Sequence, residues 1–196
     1  PNDSLNLLDY EYFYNGGGLG AGEFNNDGLV DLFITSNQED YRLYLYRGEL
    51  RYEEVTAAAG IVQDGGWSNG VSVVDINGDG LLDLYISQVG DFVGIESRNQ
   101  LFVAQSVDAQ GIPHYVERAE AYGLDQVGFS TQAAFFDYDL DGDLDLFQLN
   151  HSVHANGTFG QRKSFMGTKH PLAGDRLLRN DGERFVEVTA AAGINS

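Results

Sequence analysis

A nine-residue pattern recurs three times in this chain. Each copy has an oxygen-bearing side chain at positions 1, 3, 5 and 9, and glycine at position 6. The first copy carries Glu23, Asn25, Asp27 and Asp31, the second Asp75, Asn77, Asp79 and Asp83, and the third Asp137, Asp139, Asp141 and Asp145. Their starts lie 52 and 62 residues apart, the length of a structural unit rather than of a turn. A second motif keeps step with the first. Glu54-Val-Thr-Ala-Ala-Ala-Gly-Ile61 returns as Glu187-Val-Thr-Ala-Ala-Ala-Gly-Ile194, with a weaker version, Arg118-Ala-Glu-Ala-Tyr-Gly-Leu124, between them. Two motifs alternating three times in constant order confine the chain to a repeat architecture.

The flanks say what is repeated. Small or β-prone residues precede each acidic window: Gly16 to Glu23, Trp67 to Asp75 and Phe129 to Asp137. An alternating apolar run follows: Asp31 to Ser36, Asp83 to Ser87 and Asp145 to Leu149. Further short runs follow at Tyr41 to Arg47, Gln100 to Ala104 and Arg176 to Arg179, then at Arg51 to Val55, Pro113 to Glu117 and Arg184 to Val188. All are too short for helices and rich in strand formers. Each repeat therefore reads as four short strands followed by one helical turn. Thr56 and Thr189 suit the N-cap of that turn, and Gly60, Gly123 and Gly193 its left-handed end. The expected fold class is all-β, with β-propeller-like blades of four antiparallel strands. Three repeats are present, a partial propeller rather than a two-sheet sandwich. The boundaries read as a lead-in at 1–15, blade 1 at 16–61, blade 2 at 62–124 and blade 3 at 125–196. The glycine-rich stretch Gly16 to Gly22 fits a crowded innermost strand, and Trp67 an inter-blade contact.

The spacing inside the acidic windows points to a hard divalent cation. Alternate side chains at 1, 3 and 5 converge if the loop curls, and glycine at 6 permits the curl. The backbone carbonyl at 7 (Leu29, Leu81 or Asp143) adds an oxygen, and the carboxylate at 9 adds up to two. Calcium takes six to eight oxygens at about 2.3–2.6 Å and suits this set better than magnesium. Zinc is disfavoured where neither nitrogen nor sulfur is offered. An EF-hand needs glutamate at position 12 and helical flanks, but position 12 is Ile34, Ile86 and Gln148. The reading is up to three Ca2+ ions, one per repeat. The two loops beginning with aspartate come first, because Glu23 must fold its longer side chain back. Asp143 is expected to bind through its carbonyl, with its side chain turned to water.

The unit of strand, Asp-x-[Asp/Asn]-x-Asp-Gly-x-x-Asp and strand resembles the FG-GAP/VCBS repeats of β-propeller proteins. The link Phe185-Val-Glu-Val-Thr-Ala-Ala-Ala-Gly-Ile194, with Asn180-Asp-Gly182 and Tyr12-Phe-Tyr-Asn-Gly-Gly-Gly18, is similar to the cartilage acidic protein group and its bacterial relatives. The resemblance implies calcium in the loop between the first two strands of each blade. The calcium loops lead to the expectation of a non-catalytic binding or adhesion module for a protein or carbohydrate ligand, and with the absence of cysteine and the resemblance they place it outside the cell or at its surface. Two alternatives stand beside it: a calcium-dependent, lyase-like polysaccharide-processing propeller, and a structural component of a surface complex or filament.

Composition bounds the partners. Among 196 residues there are 30 acids, 11 of them in the three windows, against 11 Lys and Arg, for a formal net charge of −19. Nucleic acid is an unsuitable partner for such a surface. No apolar run approaches a membrane span. Without cysteine there is neither a disulfide nor a thiol nucleophile. Against this background residues 151–174 hold Arg162, Lys163 and Lys169, three of the four histidines and no acid. His151, His154, Arg162, Lys163 and Lys169 form a candidate ligand loop, or else neutralise acidic neighbours; His151, His154 and Arg162 are what a lyase would use. Propellers usually have 4–8 blades. Three blades therefore predict either a part of a longer chain or other chains completing the propeller.

Overall fold

The computed structural model describes residues 12, 14–37, 39–92, 94–152 and 170–194. Within them the chain forms three four-stranded antiparallel sheets, each from consecutive strands in the order of the sequence. Blade 1 contains β1 (Leu19–Gly22), β2 (Asp31–Ile34), β3 (Arg42–Tyr46) and β4 (Tyr52–Glu54). Blade 2 contains β5 (Trp67–Val74), β6 (Asp83–Val89), β7 (Gln100–Val107) and β8 (Pro113–Glu117). Blade 3 contains β9 (Ser130–Phe136), β10 (Asp145–Asn150), β11 (Arg176–Asn180) and β12 (Phe185–Glu187). The fold is all-β, and among the described residues the one helix is the short α1 (Ala119–Tyr122).

The first strand of each blade lies innermost, with β5 packed between β1 and β9. Backbones approach closely there, which is why glycine is needed. A Cβ on Gly18 would lie 2.6 Å from the Val71 nitrogen, and one on Gly70 would strike the Thr131 carbonyl oxygen. Two apolar seams join the blades. Phe33, Leu43 and Leu45 of blade 1 share a buried cluster with Val71, Leu84, Ile86 and Phe102 of blade 2. Val74, Tyr85, Leu101 and Val103 of blade 2 share the next with Ala133, Leu146, Leu178 and Phe185 of blade 3.

Each seam also carries a buried polar network. The Tyr41 hydroxyl donates to Gln100 Oε1 at 2.8 Å and accepts from Gln88 Nε2 at 2.7 Å. The Tyr85 hydroxyl contacts Gln148 Oε1 at 3.1 Å and accepts from Asn99 Nδ2 at 2.8 Å. Burial pushes both phenols well above their ordinary range. Trp67 is buried beside Val89, Ile95 and Phe129.

The link between blades differs from expectation in one respect. Only blade 2 ends in a helix; the other two links are turns closed by the same bonds, Ala59 N–H to Val55 O and Ala192 N–H to Val188 O. Thr56 and Thr189 do not cap these turns. Their hydroxyls accept the N–H groups of Leu43 at 2.8 Å and Leu177 at 3.0 Å, fastening the link to the third strand. In blade 2, Ala119 stands at the threonine position, and Glu117 Oε1 accepts the Leu101 N–H instead. Gly60, Gly123 and Gly193 take φ of 75°, 71° and 75°, as left-handed turn ends require.

Candidate metal centre

The acidic loops join β1 to β2, β5 to β6 and β9 to β10, at one end of the blades. Glycine at position 6 has φ of 83° in Gly28, 85° in Gly80 and 102° in Gly142. Position 4 is left-handed too, at 59° in Asn26, 70° in Gly78 and 64° in Leu140. No residue-type pattern signalled this second reversal, because leucine rarely occupies that region.

The aspartate at position 9 is the best-defined member of each loop. Asp31, Asp83 and Asp145 are fully buried. In every copy one carboxylate oxygen accepts the N–H of position 2, and the other accepts an N–H from the third strand or its end. The pairs are Phe24 at 3.0 Å and Tyr46 at 2.8 Å for Asp31, Ile76 at 2.9 Å and Ala104 at 2.8 Å for Asp83, and Tyr138 at 2.7 Å and Asn180 at 2.9 Å for Asp145. This aspartate is thus a clamp between loop and sheet before it is a ligand. Both oxygens are engaged, so each has one lone pair left for a cation. Burial, opposed by these bonds, pushes the Asp83 carboxyl up to about 6 and raises that of Asp31.

Position 1 shapes the loop from the other side. Asp75 accepts the N–H groups of Asp79 at 3.1 Å and Gly80 at 2.9 Å, and Asp137 those of Asp141 and Gly142, both at 3.1 Å. At position 5, Asp27, Asp79 and Asp141 accept the N–H groups of Leu29, Leu81 and Asp143. At position 3, Asn25 and Asn77 donate to the position-5 carboxylates at 3.1 and 2.9 Å.

The third loop brings its acids together. Asp137, Asp139 and Asp145 each place one carboxylate oxygen within 4.8 Å of the others. Among the described residues no such group forms from Glu23, Asp27 and Asp31 or from Asp75, Asp79 and Asp83. Burial and the Asp141 and Asp145 charges raise the Asp139 carboxyl above its ordinary range.

Asp143 departs from expectation. Its side chain is only partly exposed: Oδ1 is buried without a hydrogen-bond partner, and burial and the surrounding aspartates raise its carboxyl. Glu23 Oε1 is likewise buried and unpartnered in the first loop. Buried anionic oxygens without donors, beside converging carboxylates, are what a hard cation would satisfy. The third loop is thus a group of acids that could hold a metal ion.

Of the candidate ligand loop, His154, Arg162, Lys163 and Lys169 lie outside the described residues. His151 is partly buried, its ring stacked on Phe129 at 4.7 Å and 4° and lying 4.2 Å from the Tyr12 ring. Burial lowers its pKa. His170 stacks on Phe129 at 5.9 Å, a packing role that sequence gave no reason to expect.

Residues 24–86 match the family model for an FG-GAP-like repeat. The match runs from the first acidic loop into β6. Together with the three four-stranded sheets, it fits an FG-GAP, propeller-type protein. A comparison with curated proteins gives no match. No helix among the described residues is long and apolar enough to cross a membrane.

Proposed function

We propose that this chain is a non-catalytic, calcium-stabilised binding or adhesion module, extracellular or at the cell surface, taking a protein or carbohydrate ligand. The observation that carries the calcium reading is the convergence of Asp137, Asp139 and Asp145, with Asp143 Oδ1 buried and unpartnered beside them. A bound ion would supply positive charge and accept coordination from the oxygens of the loop. Asp137 and Asp145 would hold it from the two ends of the loop and Asp139 from the middle. The same residues already fix the loop through the Asp141, Gly142, Tyr138 and Asn180 N–H groups. The chain's part is thus to preorganise a turn whose clustered carboxylates repel one another until a cation binds.

An external setting agrees with this chemistry. Millimolar calcium outside cells populates even weak sites, and a chain without cysteine has no thiol to oxidise there. The FG-GAP-like repeat supports an interaction role, since such repeats generally mediate protein contacts.

Thermal unfolding tests the metal. Calcium should raise the melting temperature of the chelator-treated protein, magnesium should raise it less, and Asp137→Ala should diminish the response. Identical melting in chelator and in calcium would remove the metal from the proposal.

A further inference from the structure

Blade 2 holds an open pocket of about 370 Å³ at the end remote from its acidic loop, a volume within the range of small-molecule sites. Strand pairing sets that location. β5 and β6 meet the acidic loop at Val74 and Asp83, and Ile86 pairs with Gln100 toward the other end. Asp64 reaches the pocket from the link into blade 2, Arg98 and Gln100 from the start of β7, and Glu117 from the end of β8. Glu120 of α1 and Asp125 of the link to blade 3 complete the polar wall.

Gln100 is the informative member, only 7% exposed. Its Oε1 is turned into the seam, where it accepts from the Tyr41 hydroxyl at 2.8 Å and from Gln88 Nε2 at 3.1 Å. Those bonds pin the carboxamide and leave Nε2 to the pocket, without a hydrogen-bond partner among the described residues. A donor held in this way calls for an acceptor. The equivalent side chain of blade 3 is already engaged. Arg176 pairs with Gln148 as Gln100 does with Ile86, but it donates to Gln126 Oε1 at 3.0 Å and to Pro171 O at 2.8 Å.

The rest of the wall mixes donors with acceptors. Arg98 donates to Asp125 Oδ2 at 3.1 Å through Nη1 alone, so its other N–H groups remain as donors. Asp64 Oδ1 accepts the Gly66 N–H at 2.9 Å, and Glu117 Oε1 accepts those of Leu101 and Ala119 at 3.1 and 2.9 Å. The second oxygen of each is left as an acceptor. An ammonium or guanidinium ligand only donates; it would meet the Arg98 charge and leave Gln100 Nε2 unanswered. An anion only accepts, and it would face the carboxylates of Asp64, Glu117, Glu120 and Asp125. A hydroxyl group does both.

We infer that this pocket binds a neutral saccharide, with Gln100 Nε2 and Arg98 donating to sugar oxygens and Asp64, Glu117 and Glu120 accepting from sugar hydroxyls. The inference rests on the reading of the chain as a binding module and selects carbohydrate as the ligand of this site.

Proton–nitrogen correlation NMR of the chain in calcium reads the site directly. Glucose, galactose, mannose and N-acetylglucosamine are each titrated to about 10 mM, which fills about nine-tenths of a site with a Kd of about 1 mM. At least one sugar should move the Gln100 side-chain amide and Leu101 backbone signals to saturation, and the tripeptide Gly-Lys-Gly should leave them in place. Arg98→Ala and Glu120→Ala, both at exposed positions, should each weaken that sugar about tenfold, the worth of one hydrogen bond to a charged group, with an unchanged circular dichroism spectrum. The inference is overturned if no sugar moves these signals, if the tripeptide moves them instead, or if both variants bind sugar as the parent does. A sugar that moves only signals elsewhere removes this site and leaves the binding-module reading standing. Sugar binding here in a chain whose melting ignores calcium keeps the site and removes the metal.

Discussion

Replacing Asp83 by alanine in the chelator-treated protein separates its two roles, clamp and buried charge. The side chain is fully buried and accepts the N–H groups of Ile76 and Ala104. Alanine leaves two buried donors unsatisfied, at about 1–3 kcal/mol each, so the clamp is worth about 2–6 kcal/mol. Against this stands the charge. The folded carboxyl has its pKa raised from 3.8 to about 6. A raised folded pKa means that the group's contribution is fully present below about pH 4 and is lost as pH rises through 6. The loss amounts to about 3 kcal/mol by pH 7. Asp83→Ala should therefore destabilise by about 2–6 kcal/mol near pH 4, and by about 3 kcal/mol less at pH 7. Calcium at pH 7 should restore the larger difference by neutralising the charge that alanine lacks. Urea unfolding followed by circular dichroism at both pH values reads all three numbers. A variant within about 0.5 kcal/mol of the parent at pH 4 would refute the clamp. A penalty that grows from pH 4 to pH 7 in chelator would refute the assignment of a strained buried charge.

Other positions test the remaining contacts. Leu140 holds φ 64° with its side chain 86% exposed; Leu140→Gly should stabilise by about 1 kcal/mol, measured by denaturant midpoint, because the reversal costs leucine more than glycine. Gly70→Ala should cost about 1–3 kcal/mol, since its Cβ would strike Thr131 O and Gln132 Oε1 across the β5–β9 contact. Tyr41→Phe should cost about 1–3 kcal/mol by opening the Ser68, Gln88 and Gln100 network, while leaving the calcium-induced rise in melting temperature intact.

Much of this molecule was legible because its repeat spells out the same local physics three times. Alternation gave the strands, glycine the loop reversals and link ends, and carboxylate spacing the loops. What stayed hidden depends on partners far away in sequence. Nothing near Asp145 announces that it accepts the N–H of Asn180, 35 residues on. Nor does Thr56 reveal that its hydroxyl serves Leu43 rather than the turn that follows it. Threonine before a run of alanines is a sound capping signal, but here the hydroxyl accepts an N–H of the third strand, 13 residues back. Asp143 misled for a related reason. Position 7 needs only a carbonyl, so its carboxylate seemed surplus, yet the loop's curl buries one of its oxygens.

The three loops share a frame but not the same need for a cation, and this difference orders their expected responses. In the second and third loops position 1 is aspartate and gathers the N–H groups of positions 5 and 6. In the first loop Asn25 is buried and donates to Gly111 O of the neighbouring blade at 3.1 Å, so that loop is braced from outside. Acid content runs the same way, with three acids in each of the first two loops and five in the third. Repulsion without metal is therefore greatest in the third loop, where burial first and the neighbouring carboxylates second raise both Asp139 and Asp143. Asp137→Ala should remove more of the calcium-induced rise in melting temperature than Asp75→Ala, and Glu23→Ala should remove least. Equal losses at all three positions would mean that the ions stabilise the blades as a set, and that external bracing of a loop does not substitute for its metal.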